Sequence, residues 1–202
     1  MSDNFTDKFI FIANHTGLDF INTLMIKRNE PVDLLATPED LLRWMFDSYL
    51  LSSQDLVFVE QNWLHLGGGE IMEQVLRDAL RLRQAAHQAL IARSDREIAL
   101  NVINEYLSVA AVAARLVRSG EGYLLQEYPD SPHGLVSLIV RQVAAIFTEL
   151  DPALVKKCRN DKCVLYFYDT SKNRARTWCS MDLCGNRAKA AKHYQTHANQ
   201  VP

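Results

Sequence analysis

The chain has 202 residues and a mass of 23.0 kDa, room for one ordinary domain or for a domain with a small appendage. Its 48% hydrophobic and 23% charged content, with 8 glycines and 6 prolines, excludes a disordered tail, a low-complexity polymer and a collagen-like repeat. The formal net charge of -2 and pI near 6.3, taken whole, argue against a nucleic-acid binder.

Met1 to Asp7 are polar and include two acids, so no secretory signal is expected. Leu18, Ile21, Leu24 and Met25 recur at helical spacing behind Thr16 or Asn14 as N-caps and predict a first helix. Thr37-Pro38-Glu39-Asp40 joins a capping hydroxyl, a proline at the first helical position and acids at the positive dipole end. The helix it opens is expected to bury Leu41, Leu42, Met45, Phe46 and Tyr49. Ser53 starts a shorter piece through Leu56, Val57 and Glu60.

Gly67-Gly68-Gly69 is read as a turn between helices, because no Lys-Ser/Thr follows it and no strand precedes it, as a phosphate loop would need. A long helix then carries Ile71, Val75, Leu76, Ala79, Leu82 and Ala86. Ser94-Asp95-Arg96-Glu97 caps another through Leu100, Ile103 and Leu107. Ala113 to Arg118 and Tyr123 to Gln126, around Ser119-Gly120-Glu121-Gly122, predict a β-hairpin. From Pro132 the helical period returns with Leu135, Leu138, Ile139, Val143 and Ile146. The apolar stretch Leu107 to Ala114 is far shorter than the ~20 residues of a membrane span, and a cytoplasmic location is expected. Asp151-Pro152 marks a boundary, with a helix running on through Leu154 and Val155 as the alternative. Residues 1–150 are thus expected to form a mainly α domain with one small hairpin, and residues 151–202 a second, smaller unit.

Recounting the charge along the chain changes the first inference. Residues 1–155 carry 12 basic and 21 acidic side chains, a net −9, and residues 156–202 carry 10 and 3, a net +7. A basic segment on an acidic body suggests an anionic partner. The same segment holds all four cysteines, as Cys158-x4-Cys163 and Cys179-x4-Cys184. Two pairs with short loops, ~15–20 residues apart, are the spacing of a structural zinc site, and zinc takes four thiolates in a closed tetrahedron. The alternatives are free or disulfide-bonded thiols, an iron–sulfur cluster, or a site using His193 and His197 with one cysteine pair. Metal binding would supply folding energy that a fifty-residue segment lacks. With zinc and four thiolates the segment would still carry +5 formally.

Val164 to Asp169 is expected as a strand, turning at Ser171-Lys172-Asn173 and returning at Arg176-Thr177-Trp178. The whole is a small zinc-stabilised β-hairpin plus helix, treble-clef-like or zinc-ribbon-like. From Gly185 the alanines and basic residues favour a helix with Lys189, Lys192, His193 and Thr196 on one face. Arg174, Arg176, Arg187, Lys189, Lys192 and His193 are the candidate nucleic-acid contacts.

Arg176 to Lys189, with Cys184-Gly185-Asn186-Arg187 at its centre, resembles the CGNR zinc finger, and Cys158-x4-Cys163 and Leu165 to Asp169 fit that family too. Leu18-Asp19-Phe20-Ile21-Asn22-Thr23 and Asp33-Leu34-Leu35-Ala36-Thr37 are similar to motifs of the ABATE domain that accompanies this finger in bacterial proteins. The resemblance implies a stress-responsive transcriptional regulator with a C-terminal DNA-binding finger. Thr177 stands where that family often has another arginine, which removes one charge from the return strand.

The acidic part is then the candidate for input, through a small-molecule effector or a homodimer. Asp19, Asn22 and Thr23, polar residues sharing a face of an apolar helix, line a ligand pocket with His15 on one reading and bond to buried backbone on the other. No nucleophile elbow, open metal motif or acid–base pair is evident, so a non-enzyme is expected. The competing class is a zinc-stabilised module for protein interaction or RNA binding without DNA specificity.

Overall fold

The computed structural model describes residues 8–64, 69–91 and 96–190. Helix α1 (Thr16–Ile21) is capped neither by Thr16 nor by Asn14 but by His15, whose Nδ1 accepts the Gly17 amide at 3.1 Å. It does not run on through Leu24 and Met25. The chain turns instead into β1 (Leu24–Lys27), antiparallel to β2 (Glu30–Asp33). Thr23 Oγ1 donates to the Phe20 carbonyl at 2.7 Å, giving the last turn a partner that is not helix backbone. Arg28 and Asn29, both at positive φ, form the two-residue turn a tight hairpin requires.

At α2 (Pro38–Asp47) Thr37 caps the helix as expected, and Asp40 adds a capping box to its place at the dipole end, with the Asp40 amide donating to Thr37 Oγ1 and the Thr37 amide to the Asp40 carboxylate. Leu41, Leu42 and Met45 are buried, and Trp44 joins them. Phe46 is only half-buried, and Tyr49 is 94% exposed. The helix has ended before Tyr49, which takes a positive φ while the Leu50 amide reaches back to the Met45 carbonyl, closing a Schellman-type turn.

Helix α3 (Ser53–Val59), capped by Ser52, continues into a π-helical turn at Glu60–Leu64. The long α4 (Gly69–Ile91) packs against α5 (Arg96–Ser108) and α6 (Pro132–Thr148). It buries Val75, Leu76, Ala79, Leu82 and Ala86 with Met72, while Ile71 faces out. Gly67, Gly68 and the capping residues Ser94 and Asp95 lie outside the described residues. Helix α1 crosses α6 so closely that a Cβ on Gly17 would fall 2.3 Å from the Gln142 carbonyl oxygen. The hairpin of β3 (Ala113–Ser119) and β4 (Gly122–Tyr128) forms at the expected residues, with Gly120 at φ +59° in its turn.

After α6 no helix continues through Leu154 and Val155. The chain turns at Asp151 and enters β5 (Val155–Lys157), which pairs antiparallel with β6 (Tyr166–Tyr168). This corrects the expected pairing with Arg176 to Trp178. The cause is Asp169, whose carboxylate accepts the amides of Ser171 and Arg176 at 3.0 Å and Lys156 Nζ at 2.6 Å. It curls the chain into a loop before a return strand can form. The buried apolar residues form one continuous cluster from Phe9 to Cys184. Among the described residues no helix is long and apolar enough to cross a membrane.

Candidate metal centre

The connection between β5 and β6 carries the first two cysteines. The Cys158 amide donates to the Leu165 carbonyl, closing the hairpin, and the Cys163 amide to the Asn160 carbonyl at 2.8 Å. Cys179 arrives from the loop tied by Asp169, where the Arg159 amide donates to the Thr177 carbonyl at 3.0 Å. Cys184 stands in a π-helical turn, Met181–Gly185, whose cap Ser180 accepts the Leu183 amide on its hydroxyl. Residues 186–190 continue as helix.

All four cysteines are buried, and their sulfurs lie within 4.8 Å of one another. Cys163 and Cys179 Sγ are 3.8 Å apart. A zinc–sulfur bond of ~2.3 Å puts the tetrahedral edge at ~3.8 Å, and a disulfide needs ~2.05 Å. The spacing therefore fits four thiolates around a single ion. The Cys179 amide also donates to Cys158 Sγ at 3.4 Å, a bond that favours the charged sulfur. As bare thiols, Cys163, Cys179 and Cys184 divide. The bond with Cys179 holds Cys163 low, at about 5, the same contact drives Cys179 far above the ordinary thiol range, and burial pushes Cys184 up to about 11. A divalent cation removes that conflict by binding all four as thiolates, with release of protons, and leaves the cluster a net charge of −2. The convergence leaves neither cysteine pair stranded, as a site through His193 and His197 would.

Arg176 faces inward. Its guanidinium donates to the Ile12 carbonyl at 2.8 Å, the Trp178 carbonyl at 3.0 Å and the Cys179 carbonyl, and lies 4.2 Å over the Phe167 ring. Burial lowers its pKa, and the neighbouring Cys179 and Asp169 support its charge. It is a cation at the back of the sulfur cluster. Burial opposes ionisation of Asp169, but the bonds from Lys156, Ser171 and the Arg176 amide hold its carboxyl well below the usual range. Arg174, Arg187 and Lys189 are exposed. Lys192 and His193 lie outside the described residues.

The polar residues of α1 meet the cysteine segment. Asn22 Nδ2 donates to the Tyr166 carbonyl and Asn22 Oδ1 accepts the Tyr166 amide, both at 2.8 Å. The Tyr168 amide donates to the Ala13 carbonyl at 2.8 Å, and Asn14 Nδ2 donates to the Tyr168 carbonyl at 3.1 Å. β6 is thus paired on one edge by β5 and on the other by the N-terminal part. Asp19 accepts the amides of Ile12 and Ala13 at 3.0 and 2.9 Å, which fixes that flanking segment. Burial pushes the Asp19 carboxyl up to about 6, against those two amides and the Arg176 cation. Thr23 Oγ1 accepts from Arg83, which pairs with Asp33. His15 caps α1, and burial lowers its pKa. The sequence shows these polar positions on an apolar helix, but not Asn14 as a further bond to β6, nor Asp169 with Lys156 as the pair that shapes the loop after it.

A cavity of about 570 Å³ lies nearby, between β1, β2 and α4. Its lining includes Met25, Leu80, the Arg83–Asp33 pair, His87 and Val164, and not His15, Asp19, Asn22 or Thr23.

The family described as "putative stress-induced transcription regulator", ABATE, matches residues 14–150. The CGNR zinc finger family matches residues 155–197. No curated protein matches the chain.

Proposed function

The chain belongs to the ABATE family and ends in a CGNR zinc finger, and from that premise we propose that it is a DNA-binding transcriptional regulator. In this reading Cys158, Cys163, Cys179 and Cys184 hold a structural zinc, and the finger with the basic segment after Cys184 contacts DNA. The closed four-sulfur set leaves no coordination position for a substrate, and neither family is of enzyme type, so the zinc organises rather than catalyses. A reducing cytoplasm is the compartment in which the thiols stay available to it.

The observation that carries the reading is the exposure of Arg174, Arg187 and Lys189 on the segment that the buried sulfurs anchor. Cations held by a rigid metal knuckle lose little conformational freedom on meeting a phosphate backbone. Arg176, turned inward, holds the knuckle rather than a phosphate. In the helical part, the cavity beside Met25 and Val164 suits a small, mostly apolar effector, because its wall joins the hairpin β1–β2 to the finger.

The test is titration of zinc-loaded protein into labelled duplex DNA at several salt concentrations. Affinity falls steeply with salt, and Lys189→Ala flattens the log–log slope by about one unit. No binding at low salt with zinc bound would overturn the reading. Binding of RNA in preference to duplex DNA would reassign the finger to RNA.

A further inference from the structure

Among the described residues, the charged side-chain contacts between the β3–β4 ribbon and the body lie near its base. There Arg115 Nη2 reaches the Asp55 carboxylate at 2.8 and 2.9 Å and stacks 4.8 Å over Tyr128, while Glu127 pairs with Arg141 of α6 at 2.7 Å. Beyond that the ribbon stands clear. Leu116 and Leu125, directly opposed across the strands, are each 69% exposed, and Tyr123, two rungs toward the tip and opposite Arg118, is 72% exposed. Strand alternation puts Ala114, Leu116 and Arg118 on one face with their partners Glu127, Leu125 and Tyr123. A continuous row of large apolar side chains left in water marks an interface.

We propose that this face is a dimerisation surface, on which a second copy of the chain packs the same face of its own ribbon about a two-fold axis. The charge of the ribbon favours a copy of itself. Residues 113–128 contain Arg115, Arg118, Glu121 and Glu127, a net charge of zero inside a part of the chain carrying −9. Two ribbons therefore meet without the repulsion two acidic bodies would feel elsewhere.

The pattern is also self-complementary. With the axis across the strands at the Leu116–Leu125 rung, leucines meet leucines and each Tyr123, toward the tip, faces the partner's Glu127, toward the base. Glu127 has a second carboxylate oxygen to accept the phenol, and Arg118 lies one strand over from the same group. The contact occurs twice, as a two-fold interface requires. A seven-residue strand spans ~23 Å and the ribbon is two strands wide, less than the ~800 Å² per partner of a standard interface. The dimer is accordingly reversible and concentration-dependent.

The proposal does not depend on DNA binding, and its test excludes nucleic acid. Zinc-loaded, nuclease-treated full chain is sedimented from low-micromolar to several-hundred-micromolar concentration. The weight-average mass rises from one chain toward two. Leu116→Thr/Leu125→Thr, which keeps strand propensity, weakens association by roughly tenfold or more with circular dichroism and zinc content unchanged. Leu124→Thr, on the opposite face, leaves association as it was. A wild-type chain that stays monomeric throughout, a dimer that survives the double substitution, or equal loss from Leu124→Thr would each overturn the proposal. Failure of the DNA titration with the dimer intact would instead overturn the finger reading alone.

Discussion

Residues up to 150 bury Phe20, Trp44, Leu82 and Ile139 among packed helices, whereas the described residues from 155 have two three-residue strands, a π-helical turn that runs on as helix to residue 190, and four inward-facing sulfurs. The first part holds itself together by removing apolar surface from water. The second has Leu165, Tyr166 and Phe167 as its main apolar content, and zinc supplies most of what the rest lacks. The difference teaches where each is vulnerable. The helical part loses stability a few kcal/mol at a time, while the finger depends on a single ion and on the polar seam along β6.

Chelation of the metal, or Cys184→Ala, is the sharpest way to separate the two. Zinc binding is worth on the order of 10 kcal/mol in small fingers, so its removal unfolds residues after 155 while the helices remain. Fluorescence of Trp178 shifts to the solvent-exposed value, Trp44 stays buried, and far-ultraviolet dichroism keeps its helical signal. Loss of the whole dichroism signal with the metal would erase the distinction.

The seam comes next. Asn22→Leu leaves the Tyr166 amide and carbonyl without partners on that edge, a cost of about 4 kcal/mol for two buried groups. Thermal unfolding with zinc bound is expected to fall sharply and to split into two transitions. A single, unshifted transition would mean that the two parts hold each other by apolar contact alone.

A smaller effect comes from Asp19. Its carboxyl is raised to about 6 in the folded protein, so the folded state binds the proton more tightly than the unfolded chain. The stability it contributes is full below the ordinary carboxylate pKa and is lost as pH rises through about 6. Asp19→Asn can still accept the two amides, and it is expected to flatten the decline between pH ~4 and ~6 by up to about 2 kcal/mol. Denaturant midpoints of the two proteins across that range check it; parallel curves would rule it out. The change in salt slope on Lys189→Ala is smaller still, because it alters one exposed cation and no packing.

What could be read from the sequence was local. Thr37-Pro38-Glu39-Asp40 caps α2 through bonds three residues long, and the alternation around Gly120 specifies the β3–β4 ladder without help from elsewhere. The cysteine spacing was legible because metal chemistry constrains it directly. The partner of β6 was not, since it is decided by Asp169 capturing the Arg176 amide and by Asn22, 144 residues from Tyr166. Arg176 looks like any surface cation in sequence, and the carbonyls of Ile12, Trp178 and Cys179, the first of them 164 residues away, turn it inward. Asn22 and Thr23 stood out as polar residues on an apolar helix, but Asn22 bonds a chain segment that arrives last and Thr23 an arginine 60 residues on.

The double edge of β6 has a consequence for how the chain can be cut. Asp151-Pro152 looks like a natural place to divide it, and an excised finger would keep its four sulfurs. It would also keep Tyr166 and Tyr168 with their outer amides and carbonyls stripped of Ala13, Asn14 and Asn22. Bare strand edges recruit other strands, so such a fragment would load zinc and still tend to aggregate. The border between the family matches and the physical border are different places: the matches part between residues 150 and 155, but the outer edge of β6 is closed at residues 13–22.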